Sequence, residues 1–228
     1  PHAHARRGDA VPGAGQTRNS NGPMLAAAIA ALGAEPIELG IAPDRPELLR
    51  AAVAQGLAAD VLVLSGGVSA GDMDLVPATF TACGVDNVFH KVRLKPGKPV
   101  WFGVLRRGNA PSTLVFGLPG NPASSLVCFE LFVRPAIRIL AGAPRGRWHR
   151  PRETAWLVSA ARASTDRPVY LPCRLTRSGD RLEAEPLPWT GSSDLVGLAT
   201  ADGLLALPAS GRLHAPGERV EVLVHAEP

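Results

Sequence analysis

The sequence has few aromatic residues, few cysteines and no long apolar run. Aromatic residues make up only 5% of the 228 positions, so the core must consist mainly of alanine, leucine and valine. Three widely spaced cysteines argue against a disulfide framework and predict free thiols in a reducing compartment. No stretch reaches membrane-spanning length and no signal-peptide pattern is present. We therefore expect a cytoplasmic protein without a membrane partner. The cysteines are Cys83, Cys128 and Cys173.

The charge of the chain is too weak to indicate a nucleic-acid partner. The net charge is +4, and the basic residues cluster in one short loop and in RGRWHRPR (145–152) rather than along one long face. Hydrophobic residues make up 46% and charged residues 19%, so one large or two modest domains can bury a core. We expect a folded protein that does not bind nucleic acid.

Alternating strands and helices predict an α/β domain over residues 19–144, after a loop or frayed terminus at 1–18. A helix is expected from Ser20 or Asn21, followed by a strand at EPIEL (35–39). DRPE (44–47) has the form of a capping box before a second helix. DVLVLS (60–65) is typical of a strand buried on both faces. Later strands and a long helix over 122–140 complete a three-layer α/β/α domain with a mostly parallel sheet.

A change of pattern near residue 145 predicts a second domain. Proline, glycine and arginine cluster in AGAPRGRWHRPRE (141–153), where helical periodicity stops. Short alternating runs follow, separated by turn signals such as Ser178-Gly179-Asp180. We predict a small all-β barrel over residues 145–228.

Three loops carry the residues that could bind a ligand or take part in a reaction. Ligands bind at the carboxyl ends of strands in open parallel sheets. Two predicted strand ends are rich in glycine, in SGGVSAGDMD (65–74) and GLPGNPASS (117–125). A third loop, KVRLKPGKP (91–99), carries four basic residues around a Pro-Gly turn. The sequence therefore predicts that two glycine-rich loops and one basic loop meet at one edge of the sheet.

The residue types in these loops suit a phosphorylated ligand held with a metal ion. Glycines allow close backbone approach, and a helix starting at Asn121 and Pro122 presents free N–H groups to an anion. Asp72 and Asp74 supply the hard oxygen ligands that suit Mg²⁺. The candidate binding residues are Ser65, Gly66, Gly67, Ser69, Gly71, Asp72, Gly117, Pro119, Gly120, Asn121, Pro122 and Ser124, and the candidate cations are Lys91, Lys95 and Lys98.

Each of these features also has a purely structural interpretation. A Gly-Gly pair after a strand is often only a tight turn, and lysines around Pro-Gly commonly form a solvated hairpin. Asp44 and Asp74 are both placed to cap a following helix. The convergence of two glycine loops, a basic loop and two aspartates favours a binding site over these separate explanations.

The three loop motifs, in this order and followed by FELFVRPAIRILAG (129–142), closely resemble the molybdopterin molybdenumtransferase family. These are the MoeA-type enzymes, related to the E domain of gephyrin. The stretches GQTRNSNGPMLAAAIAALGAEPIELGIAPD (15–44) and GSSDLVGLATADGLLALP (191–208) are similar to the same family. The resemblance covers about residues 15–228.

The resemblance implies a function in molybdenum cofactor biosynthesis. Family members insert molybdenum from molybdate into adenylylated molybdopterin, with a divalent cation such as Mg²⁺, and release AMP. It also implies a homodimer and a molybdopterin adenylyltransferase as a partner. By motif, Asp44, Asp74, Lys91, Lys95 and Lys98 match active-site positions, the two aspartates serving the metal or molybdate. Pro119 and Pro122 match the prolines of the family's GLPGNP loop, and Ser192 matches a serine that faces the same cleft.

Three departures from the family pattern concern the assignment of these family roles to this chain. The family has two further domains before this unit. It also opens the α/β domain with an apolar strand and a TGDE-like turn, where this chain reads PHAHARRGDAVPG with Ala10 at the acidic position. We therefore expect the sheet to lack one member and to leave an exposed edge. In the second domain, Pro172 stands where an arginine is usual, with Arg174 two residues later.

Two other functions are also compatible with the sequence. The first is adenylyl transfer to molybdopterin, the sister reaction on the same α/β domain. The loop SGGVSAGDMD and the attached β domain favour insertion over that reaction. The second is a non-catalytic binding or scaffold role, which the gephyrin relative makes conceivable on this fold.

Overall fold

The computed structural model describes residues 18–68 and 75–225. Asp9, Ala10, Ser69, Gly71, Asp72 and Asp74 lie outside these ranges. The first part of the chain contains helices α1 (Asn21–Ala30), α2 (Pro46–Gly56) and α3 (Leu75–Ala82) and strands β1 (Val61–Ser65), β2 (Asp86–His90), β3 (Trp101–Arg107) and β4 (Ala110–Leu118). It ends in a continuous helical stretch formed by α4 (Pro122–Cys128), a π-helical turn (Phe129–Val133) and α5 (Arg134–Leu140).

The four strands form a mixed sheet in the order β1-β4-β3-β2. Within the described residues, β1 and β4 are parallel, whereas β4 and β3, and β3 and β2, are antiparallel. The expected mostly parallel sheet is therefore corrected to a mixed one. Only Gly108 and Asn109 separate β3 from β4, and such a short connection can join antiparallel but not parallel strands.

Helices cover both faces of this sheet, which confirms the three-layer α/β/α arrangement. Helices α1, α4 and α5 pack on one face through Leu25, Val127 and Ile137. Helices α2 and α3 pack on the other face through Val53 and Phe80. Because the strand residues alternate between the faces, each layer has its own apolar core.

Two local expectations in this domain are wrong. Residues 35–39 (EPIEL) form no strand, although their composition favours one. Helix α2 begins as expected at DRPE, but its N-cap residue is Arg45, which makes no side-chain cap. Asp44 lies in the bend before it and is exposed, so the capping box does not form.

The second part of the chain forms the predicted small barrel. A 3₁₀ turn (Arg145–Arg147) leads into β5 (Arg152–Leu157), β6 (Ala161–Arg162), β7 (Val169–Ser178), β8 (Arg181–Pro186), α6 (Leu195–Ala199), β9 (Gly203–Leu207), β10 (Leu213–His214) and β11 (Arg219–Val224). Strands β11, β5, β8, β7 and β9 close the barrel in that order, and β6 pairs with β10. Pro172 is buried within β7 and its carbonyl oxygen accepts a hydrogen bond from the Leu187 N–H at 2.9 Å.

The barrel is packed against the α/β part. Leu198, Leu204 and Leu223 belong to the same apolar core as α1 and α4. At this junction Glu130, in the π-helical turn, is only 4% exposed and accepts hydrogen bonds from Nε and Nη2 of Arg150 at 2.7 and 2.9 Å. A bidentate guanidinium–carboxylate pair of this kind fixes geometry as well as charge.

The cysteines are free, as predicted. Cys128 and Cys173 are buried, and Cys83 is half-buried. Burial in apolar surroundings raises the pKa of Cys173 to about 12 and also raises the pKa of Cys128. These two thiols are therefore protonated packing groups at neutral pH. In the described part of the chain, no helix is long and apolar enough to cross a membrane.

Candidate functional site

The loops after β1 and β4 touch each other at the carboxyl edge of the sheet. The two strands are parallel neighbours, so their ends meet there. The Gly66 N–H donates to the Leu118 carbonyl oxygen at 2.9 Å. A Cβ added to Gly120 would lie 3.5 Å from the Gly66 Cα. The predicted meeting of the two glycine-rich loops is therefore present in residues 65–68 and 117–122.

The glycines of these loops have different roles. Gly67 has a φ of +65°, and a Cβ there would lie 2.7 Å from Val76 Cγ2. It therefore holds a backbone conformation that other residues rarely adopt. Gly117 instead lies inside β4 and is buried, where a Cβ would lie 2.7 Å from Val68 Cγ1. The structure thus gives Gly117 a packing position rather than one on a ligand-facing loop.

Asn21, the first residue of α1, ties both loops together. Its Nδ2 donates to Ser65 Oγ at 2.7 Å and to the Gly120 carbonyl oxygen at 2.7 Å. Ser65 Oγ in turn donates to the carbonyl oxygen of Pro119, which is buried, at 3.1 Å. The Ser65 hydroxyl therefore serves loop geometry.

Sequence reasoning identified Asn21 only as a helix start and gave it no site role. The available signal was a polar amide at the first helical position, directly before Gly22 and Pro23. That signal has an ordinary capping interpretation, so it did not indicate a contact with a loop about a hundred residues later.

The start of α4 is bonded to the barrel. Asn121 occupies the N-cap position and Pro122 the first helical position, as predicted, but the Asn121 side chain makes no cap. Its Nδ2 donates instead to Ser192 Oγ at 2.6 Å, and the Ala123 N–H donates to the Ser192 carbonyl oxygen at 3.1 Å. Ser124 is buried, with 5% exposure. Ser192 thus accepts hydrogen bonds from two groups at the helix start, which was expected to face a ligand.

The basic loop is fixed between α4 and the barrel. The Lys95 N–H donates to the Pro168 carbonyl oxygen at 3.0 Å, and the Lys95 carbonyl oxygen accepts from the Tyr170 N–H at 2.8 Å. Gly97 has a φ of +119°, and a Cβ there would lie 2.5 Å from Cys128 Sγ. The loop backbone is therefore held closely, while the side chains of Lys95 and Lys98 are exposed.

Lys91, Lys95 and Lys98 are the only lysines among the 228 residues, whose other basic residues are arginines. Lysine is a compact, strongly hydrated point charge, unlike the planar guanidinium of arginine. Lys95 and Lys98 border one large cavity, whereas Lys91 is exposed and does not border it. The structure therefore brings two of the three candidate lysines into the same space.

That cavity has a volume of about 2870 Å³ and is bordered by both parts of the chain. Besides the loops after β1 and β4, the barrel contributes Arg162, Arg167 and Ser192. The two arginines were not predicted. Together with Lys95 and Lys98, they make one side of the cavity cationic and suited to an anionic ligand.

The candidate metal ligands are only partly described. Asp44 is exposed and borders the same cavity. Asp72 and Asp74 lie outside the described ranges. Within residues 18–68 and 75–225, no three His, Cys, Asp or Glu side chains form a group able to hold a metal ion. Asp44 is therefore the one predicted metal ligand among these residues, and they do not form a complete metal site.

The chain is similar to known proteins along most of its length. Residues 7–139 match the family described as a probable molybdopterin binding domain, and residues 155–225 match the MoeA C-terminal region (domain IV). The molybdopterin molybdenumtransferase of Bacillus subtilis (strain 168) is 34% identical over 220 residues, covering 93% of this chain and 48% of that protein. That of Nostoc sp. (strain PCC 7120) is 35% identical over 213 residues, covering 91% and 42%.

The fold is also similar to solved structures. A molybdopterin biosynthesis MoeA protein from Pyrococcus horikosii superimposes with a TM-score of 0.80 and 29% sequence identity. The superposition covers 98% of this chain and 52% of that protein. The chain thus spans about half the length of the relatives that it matches.

Proposed function

The chain belongs to the molybdopterin molybdenumtransferase family, and from that membership we propose that it binds adenylylated molybdopterin and takes part in molybdenum insertion. In the proposed reaction water attacks the phosphoanhydride of the substrate, its bridging P–O bond breaks and AMP leaves. The two dithiolene sulfurs replace two oxygens of molybdate, which leave as hydroxide with the two thiol protons. Because the chain spans about half of its relatives, the proposal concerns what this half contributes.

The observation that carries the proposal is the convergence of bare backbone and positive charge on one cavity. Gly66, Gly67 and Gly120 border this cavity, and because they have no side chain a ligand can come close to the backbone there. Lys95 and Lys98 border the same space. Fixed cations near a phosphoanhydride attract its negatively charged phosphate oxygens. They also stabilise the negative charge that develops on the leaving group when the bond breaks.

Lys95, Lys98 and Asn21 each have a definite part in this proposal. Lys95 and Lys98 hold the phosphate groups, because their side chains are exposed at the cavity while their loop is fixed by Pro168 and Cys128. Asn21 holds the two glycine-containing loops at the spacing that the ligand requires. Lys91 is retained as a candidate on the motif alone.

The proposed magnesium ion has one of its predicted ligands among the described residues. Asp44 is the single described carboxylate among the predicted ligands, and it borders the cavity. The described residues do not by themselves fit a divalent cation, because no three His, Cys, Asp or Glu side chains among them form a group that could hold one. In the proposed reaction Asp44 therefore has only a binding contribution.

The first test is AMP release by the 228-residue chain incubated with adenylylated molybdopterin, molybdate and Mg²⁺. Ligand binding is read in the same samples from protection of lysines against reductive methylation, detected by mass spectrometry. We expect the ligand to protect Lys95 and Lys98 more than Lys91. Lys95→Gln and Lys98→Gln should each lower AMP release by about 10²-fold.

Arg106→Gln is the matched control, because Arg106 forms an exposed ion pair with Asp86 on β3 and β2, away from the cavity. It should leave AMP release unchanged. Protection without AMP release would mean that the chain binds the substrate but requires further polypeptide for the reaction. A folded chain showing neither would contradict the proposal, and ATP consumption with molybdopterin would indicate adenylyl transfer instead.

We also propose, from family membership alone, a homodimer, a cytoplasmic location and contact with a molybdopterin adenylyltransferase. Light scattering of the isolated chain tests the first. Co-purification with the adenylyltransferase, compared between wild type and a cavity variant such as Lys95→Gln, tests the third.

A further inference from the structure

Trp189 is the single aromatic side chain among the described residues that border the large cavity. It lies in the barrel, in the loop between β8 and α6, three residues before Ser192. Three residues span at most about 11 Å, and Ser192 is bonded to Asn121 at the start of α4. An aromatic side chain therefore borders the cavity close to the loop that contains Gly120.

The loop that carries Trp189 is held at both ends. The Leu187 N–H donates to the Pro172 carbonyl oxygen at 2.9 Å. The Thr190 N–H and hydroxyl donate to Asp194 Oδ2 at 3.2 and 3.0 Å. A backbone fixed on either side of the tryptophan limits the movement of its side chain, and a group that is already in place costs less entropy when a ligand binds.

Trp189 has both a packed and an accessible surface. The side chain is half-buried and packs against the apolar core that the barrel shares with α1 and α4. Part of its surface borders the cavity. The indole is thus supported by protein and still within reach of a bound molecule.

The other three tryptophans of the chain are used within the protein. Trp101 is 2% exposed in the α/β core. The guanidinium of Arg145 lies 6.0 Å from the centre of the Trp148 ring, and that of Arg181 lies 4.7 Å from the centre of the Trp156 ring. Within residues 18–68 and 75–225, no ring or guanidinium occupies the corresponding position on the tryptophan at the cavity.

We propose that Trp189 stacks on a planar nitrogen heterocycle of the ligand, an inference that rests on the function proposed above. Aromatic side chains stack favourably on such rings whatever their substituents. Adenylylated molybdopterin has two of them, adenine in one half and pterin in the other. Lys95 and Lys98 recognise phosphate, which any phosphate ester carries. Trp189 therefore selects ligands that carry a ring beside the phosphate.

The test uses the full 228-residue chain labelled with fluorotryptophan. Fluorine NMR gives one resonance for each of the four tryptophans, and Trp189→Phe identifies the resonance of Trp189 by its loss. AMP, hydroxymethylpterin phosphate and ribose phosphate are titrated separately, the last of which has a phosphate group but no heterocycle. We expect a saturable shift of the Trp189 resonance with AMP or with the pterin phosphate, but not with ribose phosphate. The resonances of Trp148 and Trp156 should not move.

The same titrations distinguish the two rings. The compound that shifts the Trp189 resonance at the lower concentration is the one whose ring lies on the indole. A shift with AMP alone assigns adenine to Trp189, and a shift with the pterin phosphate alone assigns pterin. Either result supports stacking.

Variants measure the contribution of the ring to affinity, which equilibrium dialysis gives for each compound. Trp189→Leu keeps an apolar side chain but loses the ring, so affinity for the stacking compound should fall by about tenfold. Affinity for ribose phosphate should not change. Trp189→Phe keeps an aromatic face and should retain most of the affinity. Trp156→Leu is the matched control, because Trp156 lies on β5 and does not border the cavity. Circular dichroism verifies that all variants are folded.

The possible failures are distinguishable. Protection of Lys95 and Lys98 by AMP, by the pterin phosphate and by ribose phosphate at equal concentrations would overturn the stacking role and leave the proposed function in place. Wild-type affinity in Trp189→Leu would do the same and would show that Trp189 only packs. Absence of lysine protection by all three compounds and by adenylylated molybdopterin would contradict the proposed function as well.

Discussion

Asn121 and Ser192 join the α/β part of the chain to the barrel through one short hydrogen bond, with Asn121 Nδ2 donating to Ser192 Oγ at 2.6 Å. The Ser192 carbonyl oxygen also accepts from the Ala123 N–H. The start of α4 is thus positioned by the barrel. A ligand in the cavity that both parts border depends on this junction, because one wall comes from each part.

We predict that Ser192→Ala weakens ligand binding more than it weakens the fold. The variant loses the hydroxyl acceptor but keeps the carbonyl acceptor, so the free energy of unfolding should fall by only about 0.5–1.5 kcal/mol. Ligand protection of Lys95 and Lys98 should require several-fold more ligand. Ser159→Ala, at an exposed barrel position, is the control and should change neither. Unchanged ligand affinity in Ser192→Ala would contradict the prediction.

Asn21→Ala should uncouple the two glycine-containing loops. It removes the donor to Ser65 Oγ and to the Gly120 carbonyl oxygen, at a cost of about 1–3 kcal/mol. Displacement of the loops by about 1 Å can lower a reaction rate by 10²-fold, so AMP release, where present, should fall far more than stability. Urea denaturation and the AMP assay give the two values.

The control for Asn21→Ala is Asn87→Ala. Asn87 Nδ2 also donates to two carbonyl oxygens, those of Phe89 and Phe102, but it lies on β2 at the other side of the sheet. It should lose stability without losing ligand binding or AMP release. Equal losses of function in both variants would mean that Asn21 acts only through general stability.

The sequence predicted the two-part architecture because periodicity is local information. The run VLVLS and the alternating runs after residue 150 identified strands from their own side chains. The direction in which strands pair is not local information in general, although the two residues between β3 and β4 are too few to join parallel strands. EPIEL has strand composition, yet a strand forms only where a neighbouring strand pairs with it, and none of the described strands pairs with these residues.

The sequence predicted which loops form the candidate site, but it did not predict the hydrogen bonds that hold them together. The glycine-rich stretches after two predicted strands identified the segments that meet, because ligand-binding loops lie at the carboxyl ends of strands in such sheets. The hydrogen-bond partner of Asn121 depends on packing between distant segments. The same is true of the hydrogen bond from Asn21 to a loop about a hundred residues later. Gly117 illustrates the same limit, since a glycine required for close packing on Val68 cannot be distinguished by sequence from one that faces a ligand.

Gly97→Ala should distort the basic loop. The added methyl group would lie 2.5 Å from Cys128 Sγ and 3.0 Å from Leu94 Cδ2, at a φ of +119°. Overpacking of this kind costs about 1–3 kcal/mol, in addition to the backbone strain. Gly108→Ala is the control, since Gly108 has a φ of +57° but no heavy atom within 4 Å of its Cβ position. It should cost only about 1–2 kcal/mol.

The double variant Gly97→Ala with Cys128→Ala tests the cause. Removing the Cys128 sulfur relieves the closest contact, so the two changes should cost less together than the sum of their separate costs. Additive costs, or a Gly97→Ala variant as stable as Gly108→Ala, would show that the loop moves freely away from α4.

His225 should make the junction between the two parts of the chain sensitive to acid. Burial lowers the pKa of His225 below its usual value of 6.5, with Arg150 and Arg134 lowering it further and Glu130 opposing them. The unfolded chain therefore takes up this proton more readily than the folded chain. The stability contributed by neutral His225 is complete above about pH 6.5 and is lost as the pH falls towards the lower folded-state pKa.

The measurement is the free energy of unfolding between about pH 5 and pH 7.5, where one proton changes stability by at most about 1.4 kcal/mol per pH unit. His225→Gln should flatten this slope, whereas His149→Gln, at an exposed position, should not. Asp166, Asp194 and Glu218 have lowered pKa values through hydrogen bonds to their carboxylates, so their effect falls at more acidic pH. A slope in His225→Gln equal to that of the wild type would assign the acid sensitivity to another group.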